Sequence, residues 1–317
     1  MKVMGLAIED IHRARQVIRG TAIRTPLVEL NVSDAPGRIY LKLENLQPIG
    51  SFKIRGAANA MSLVSPEELA RGVLTASAGN MAQGVAWNAR RLRIPCTVIA
   101  PDTAPDTKIH AVERLGGRVI KVPFDRWWQT FTDRNYPGVD GVFVHPFDDD
   151  RVMAGNGTIG LEILEDLPDV DTVLIPWGGG GLACGIATAL RALKPSVRIY
   201  AVEASTATPL TASLQAGSVQ VVDYTPSFVD GIGSKTVMPR MFELARDLLD
   251  GAKAASLESI AQAIRVLAER NHVIAEGAAA CPLAVALSGA AGSGNIACVI
   301  SGGNIEASKL AGILAGA

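Results

Sequence analysis

Short β-branched runs alternate with longer helical stretches along almost the whole chain, and that alternation leaves few folds open. Strand candidates lie at 39–43, 73–76, 97–100, 118–122, 142–144, 172–175, 198–202 and 297–300. Helical periodicity runs over 54–63, 80–92, 106–115, 155–166, 183–193, 207–216, 239–249, 256–270 and 276–288, with a further amphipathic candidate before Gly20. Strand and crossover helix in turn predict an α/β fold, mostly parallel, covered by helices on both faces. The core chemistry suits this: 48% of the residues are hydrophobic but only 5% aromatic, so Ala, Val, Ile and Leu must do the filling. Doubly covered strands need such side chains. With 317 residues the chain can bury one large α/β core or two smaller ones.

One stretch departs from the pattern. Residues 123–147 carry Trp127 and Trp128, two of the four tryptophans, and their prolines and glycines break the periodicity. Something other than a plain crossover helix is expected there, either a wall of an entrance or packing at a surface. Elsewhere the 30 basic and 31 acidic residues are interspersed, and no basic block offers a nucleic-acid surface. The N-terminus lacks the apolar run of a secretory signal, and the Ala-rich stretches near 183–192 and 275–289 are too short or interrupted to span a membrane. Cys96, Cys184, Cys281 and Cys298 stand singly with no CxxC pair, which predicts free buried thiols in a reducing compartment. A cytoplasmic protein is expected.

Four segments look chemical. In Ser51-Phe-Lys-Ile-Arg-Gly-Ala57, Lys53 sits among apolar residues where a turn becomes a helix, and it is one of only nine lysines. Burial there would favour its neutral form, which is the nucleophile and the base; an ordinary surface lysine opening a helix is the plainer reading. In Ser77-Ala-Gly-Asn-Met81, a turn follows the run Val73-Leu74 and precedes a helix, a natural seat for a carboxylate or simply a cap. Val173-Leu-Ile-Pro-Trp is followed by Gly178, Gly179, Gly180, Gly181 and Leu182, a strand, four glycines and a helix. Such a loop turns backbone N–H groups on an anion. It lacks both the GxxxxGK[ST] pattern and spaced GxGxxG glycines, so one phosphate held by backbone fits better than a nucleotide. Finally, Ser301-Gly-Gly-Asn304 ends the last strand, where Ser301 can offer a neutral hydroxyl or cap the final helix. The histidines show no zinc spacing, Phe147-Asp-Asp-Asp150 reads as a turn or cap more than a cation site, and Glu203 ends a strand without a second acid nearby.

Taken together and in this order, these segments resemble the serine/threonine dehydratase family of fold-type II pyridoxal-phosphate enzymes, over roughly residues 15–310. The resemblance implies two open, mostly parallel sheets: a small domain over 47–146 and a large cofactor-binding domain made of 1–46 and 147–317. It implies pyridoxal 5′-phosphate bound covalently to Lys53, with Phe52 against its ring and Asn80 on its phenolic oxygen. Gly178, Gly179, Gly180, Gly181 and Leu182 would receive the phosphate and Ser301 would face the ring nitrogen. Gly231 and Glu276 would line the site. Ser77, with backbone around Ala78, Asn80 and Met81, would hold the substrate carboxylate. The implied activity is that of an ammonia-lyase on a small L-3-hydroxy amino acid, working as a homodimer; a racemase, or a dehydratase for 3-hydroxyaspartate or a bulkier 3-hydroxy acid, stays open.

Three departures from the family pattern matter, the first being the Trp127–Trp128 stretch described above. Met81 stands where a histidine is common, and Pro209 stands six residues after Glu203, where an acid completes the family's cation site. A divalent-metal requirement is therefore doubtful, with Glu203 the one candidate ligand. Ala78 replaces the serine that racemases use to move a proton on the face opposite Lys53. The chain ends soon after Ser301-Gly-Gly-Asn304, so a C-terminal amino-acid-sensing domain is not expected.

Overall fold

The computed structural model describes residues 5–316. Among the described residues ten strands are formed: β1 (Leu27–Glu29), β2 (Arg38–Leu43), β3 (Val73–Ala76), β4 (Cys96–Pro101), β5 (Arg118–Val122), β6 (Val142–Phe143), β7 (Thr172–Pro176), β8 (Arg198–Ala204), β9 (Gly251–Ala255) and β10 (Asn295–Ile300). The helices are α1 (Ile8–Val17), α2 (Lys53–Ser62), α3 (Pro66–Ala70), α4 (Asn80–Leu92), α5 (Asp106–Arg114), α6 (Phe124–Asp133), α7 (Asp150–Asp166), α8 (Gly181–Leu193), α9 (Pro209–Ala216), α10 (Pro239–Leu248), α11 (Leu257–Arg270), α12 (Gly277–Leu287) and α13 (Ala307–Ala315).

The strands make two sheets. The larger has the order β1-β2-β10-β7-β8-β9, parallel except for β1, which pairs antiparallel with β2 at the edge. The smaller, β5-β4-β3-β6, is wholly parallel. The α/β reading with two mostly parallel sheets under helices holds. The central strands β7 and β10 are nearly unbroken apolar runs because helices cover both faces. One core lies on each side of the large sheet, built around Ile175, Ile186 and Ile199 on one face and Leu174, Ile264 and Cys298 on the other. A third core, around Val73, Val85 and Val98, belongs to the small sheet. α2 packs on both α4 and α7, and so touches both units.

β10, the last strand, inserts between β2 and β7. The chain therefore changes direction there, and in open α/β sheets ligands bind beyond the carboxyl ends of strands at such a reversal. Lys53 follows β2, the four glycines follow β7 and Ser301 follows β10, while the Ser77–Asn80 turn follows β3 of the small sheet.

The 123–147 stretch corrects the expectation placed on it. Trp127 and Trp128 lie on an ordinary helix, α6, packed on β3 and β4. Pro123 is its N-cap, and Pro137, Gly138 and Gly141 lie beyond its end, so these residues delimit the helix rather than break it. Trp128 is exposed and stacks on Phe131; Phe131 in turn lies 4.6 Å from His145 and 5.4 Å from Phe147, measured between ring centroids.

Candidate active site

The first and last motifs are stitched together. Phe52 N–H donates to the Ser301 carbonyl at 3.0 Å, and Ser51 and Gly302 form an antiparallel bridge. This fixes Lys53, the first residue of α2, at the carboxyl end of β10. Its Nζ donates to the Pro146 carbonyl at 2.6 Å. Burial pulls the Lys53 pKa down to about 8, against the smaller upward pull of the Glu276 carboxylate. A fraction of neutral amine is thus accessible near neutral pH, as a nucleophile or base requires.

Glu276, the N-cap of α12, faces this amine. Burial pushes its pKa up to about 7; the charge of Asp230 adds to that, while Asn80, Lys108 and Lys53 work against it. Asn80 Nδ2 donates to Glu276 Oε1 at 2.9 Å, and Asn80 Oδ1 accepts from Asn304 Nδ2 at 2.8 Å. Asn304 Nδ2 also donates to the Ile49 carbonyl at 2.9 Å. Residues from the early and the late parts of the chain therefore lock one amide in place. A methyl on Gly302 would lie 2.8 Å from Glu276 Oε1, and one on Gly231 3.3 Å from it, so both loops close on this carboxyl.

The four-glycine loop is shaped by what crowds it. Gly180 has φ +91°, a left-handed conformation that caps α8, with the buried Trp177 indole beneath it. A side chain on Gly179 would strike the Phe147 ring. Among the described residues, no backbone N–H from Gly178 to Gly181 donates to another protein group. Those free donors, at the positive end of α8, fit a single phosphate with no basic side chain needed. Leu182 is buried in the core, so only its backbone can serve the same anion.

The carboxylate loop is similar in kind. Ser77 Oγ accepts from Gly79 N–H at 3.3 Å, and Ser77 N–H is held by the Ile99 carbonyl at 3.1 Å. Ala78 packs on Ala100, Ala104 and Ile109, an apolar bed with no proton to give. The Met81 side chain is 2% exposed in the small-sheet core, so at this position only backbone faces a ligand.

The metal candidate is corrected. Glu203 Oε1 accepts from Leu210 N–H, and Oε2 from the Thr211 N–H and hydroxyl, all within 2.9 Å. Pro209 opens α9, and Glu203 caps that helix instead of presenting free oxygens to an ion. Among the described residues no group of three His, Cys, Asp or Glu is arranged to hold a metal. The acidic run is likewise engaged: Asp149 caps α7, Asp148 pairs with Arg134 and Arg240, and Asp150 with Arg240.

Three groups near the site escaped the sequence reading. His145 Nδ1 accepts from the Phe147 and Asp148 N–H groups at 3.2 and 2.8 Å. Burial and then the Arg134 charge hold its pKa down at about 4, so it stays neutral beside Lys53. Asp230 adjoins Gly231 and meets Lys108 Nζ at 3.1 Å. Only the neighbouring Gly231 hinted at Asp230; nothing in the sequence marked Lys108 or His145.

The comparisons agree with this geometry. The family model described as pyridoxal-phosphate dependent enzyme matches residues 18–302. The L-threonine ammonia-lyase of Thermotoga maritima is 43% identical over 310 residues, 96% of this chain and 77% of that one. Among solved structures, maize serine racemase superposes with a TM-score of 0.90 at 31% identity, covering 96% of this chain and 95% of that one. The processed form of threonine deaminase isoform 2 from Solanum lycopersicum gives 0.85 at 34% identity, covering 98% and 88%. The chain belongs to the pyridoxal-phosphate-dependent enzymes of fold type II, in the threonine/serine dehydratase family. Pyridoxal 5′-phosphate is its cofactor.

Proposed function

We propose that this enzyme is an ammonia-lyase converting a small L-3-hydroxy amino acid, threonine or serine, to its 2-oxo acid and ammonia. The observation that carries this reading is a proton-moving amine on one side, Lys53, and an inert methyl, Ala78, in the carboxylate loop. Bound pyridoxal phosphate supplies the electron sink that makes the Cα proton labile. The backbone of Gly178–Leu182 would hold the phosphate, Asn80 would address the phenolic oxygen, and the Ser301 hydroxyl would serve the ring nitrogen. Ser77 and the N-terminus of α4 bind the substrate carboxylate.

Lys53 then removes the Cα proton, and the electron pair left on Cα becomes the Cα–Cβ double bond. The β-hydroxyl leaves with its bonding electrons and takes up that proton to become water. The released enamine tautomerises and takes up one water, so the substrate's atoms reappear as a 2-oxo acid and ammonium. A neutral Ser301 cannot support positive charge on the ring nitrogen as a carboxylate would, which favours prompt loss of the hydroxyl. Return of a proton to the other face of Cα needs a donor within about 2.6–3.2 Å, and Ala78 is none. The likeness to a serine racemase supports racemisation as the competing reading; the missing donor argues for elimination. We take the working form to be a cytoplasmic homodimer.

The test is a panel of 3-hydroxy amino acids assayed for 2-oxo acid and ammonia, with chiral chromatography of the unreacted amino acid. Elimination with little D-enantiomer is expected. Rapid accumulation of D-serine or D-allo-threonine, outrunning 2-oxo acid, would reverse the assignment.

A further inference from the structure

Asp230 stands between the buried Val229 and Gly231, in the loop that lies on Glu276 and on Gly178. Its carboxylate is 3.1 Å from Lys108 Nζ and 3.6 Å from Lys309 Nζ. Lys108 belongs to the first turn of α5, and the neighbouring Ala104 and Ile109 form the bed under Ala78. Beside it, Thr107 Oγ1 donates to Glu306 Oε1 at 3.4 Å, and Glu306 also pairs with Lys309 at 3.5 Å. Two adjacent polar contacts thus join α5, which carries the support of the carboxylate loop, to the large-sheet side that carries the glycine loop and Glu276. The Lys108 and Asp230 side chains are 24% and 34% exposed, so water can compete for this bridge. Apolar packing would hold the two sides together regardless of solvent; a half-wet ion bridge can open and close.

We propose that Lys108 and Asp230 are a positioning pair whose ion bridge holds the Ser77–Asn80 loop over the reacting centre and closes the cleft on a bound substrate. Neither residue needs to touch the substrate. The bridge acts through α5 and the Ala78 bed, and its effect appears in how well the carboxylate loop is ordered when an amino acid arrives. The kinetic consequence rests on the elimination reading; the structural one does not.

Lys108→Met, Asp230→Asn and the double variant are prepared as holoenzymes. Each single variant is expected to raise KM for the 3-hydroxy amino acid about fivefold, the scale of a half-exposed ion pair, with a smaller change in kcat. Because Asp230→Asn already breaks the bridge that Lys108→Met breaks, the double variant should be no worse than Asp230→Asn alone. Wild-type KM should rise with added sodium chloride, and the variants should have lost that dependence. Amide hydrogen exchange should quicken in residues 77–82 and in the first turn of α5 in all three variants, with cofactor content and thermal midpoint unchanged. Losses that multiply in the double variant, or exchange in these segments equal to wild type, overturn the proposal. If Asp230→Asn does not fold, Lys108→Met decides by the same salt and exchange readings. If the wild-type enzyme makes no 2-oxo acid from any 3-hydroxy acid, the elimination reading fails and the exchange measurement still decides the bridge.

Discussion

Lys53 and Arg55 stand two residues apart in the first turn of α2, both largely removed from water, and they have opposite fates. Arg55 makes six hydrogen bonds: to Glu44 and Glu162 through both oxygens of each, to Thr158 Oγ1 and to the Ile23 carbonyl. Lys42 completes the cluster, 2.6 Å from Glu162, so two cations face two anions in a dry interior. Burial alone would push the Glu44 carboxyl up, yet Arg55 above all holds it below the ordinary value. Lys53 has one carbonyl partner and a carboxyl that is itself pushed towards neutrality. Burial therefore wins at Lys53 and loses at Arg55. Pairing decides whether a buried charge anchors the fold or is free to exchange a proton.

The largest effect should come from breaking the anchored cluster. Arg55→Met leaves two buried carboxylates with Lys42 as their only cation, which should cost about 3–5 kcal/mol of stability, read from urea unfolding. A loss below about 1 kcal/mol would mean that water already reaches these groups. The pH sign follows from the lowered Glu44: its contribution is present above the ordinary carboxylate value of 4.5 and is lost as pH falls through the lower folded value.

Glu276 should behave in the opposite sense. Its folded pKa of about 7 lies above 4.5, so the carboxyl costs stability above pH 7 and nothing below the ordinary value. Glu276→Gln should stabilise the cofactor-free protein by about 1–2 kcal/mol at pH 8, with the gain gone near pH 4.5. Thermal midpoints at the two pH values check this; an equal change at both would show that shape, and not charge, sets the effect.

A smaller shift sharpens the same contrast. Asp230 pushes the Glu276 pKa up and Lys108 pulls it down. Asp230→Asn should therefore lower the Glu276 titration and Lys108→Met should raise it, followed by carbon-13 NMR of labelled glutamate. Shifts of one sign in both variants would mean that opening the cleft, and not the lost charge, moves this proton.

The sequence carried the fold and the motifs well wherever local chemistry marks them. The strands beside Lys53, the glycine loop and Ser301 are apolar runs ending in turns, and each lies where its pattern put it. β9 was not legible, because Gly251-Ala-Lys-Ala-Ala255 has no strand-forming side chains and is held by pairing with β8. β1, only three residues long, is likewise made by its partner. Met81 and Leu182 could be placed in the right loops, but which of their atoms face a ligand is a matter of packing. Glu203 looked free because its partners are backbone groups of a helix not yet formed. The Lys108–Asp230 bridge joins residues far apart in the chain, and such a pairing leaves no local trace.

The central claim, that Lys53 alone carries the cofactor and moves the substrate proton, is tested most directly by borohydride reduction of the holoenzyme followed by peptide mapping. The account predicts cofactor fixed only on the peptide containing Lys53, and a folded Lys53→Ala variant that takes no label and releases no 2-oxo acid. Label on any of the other lysines, or turnover by that variant, would contradict it.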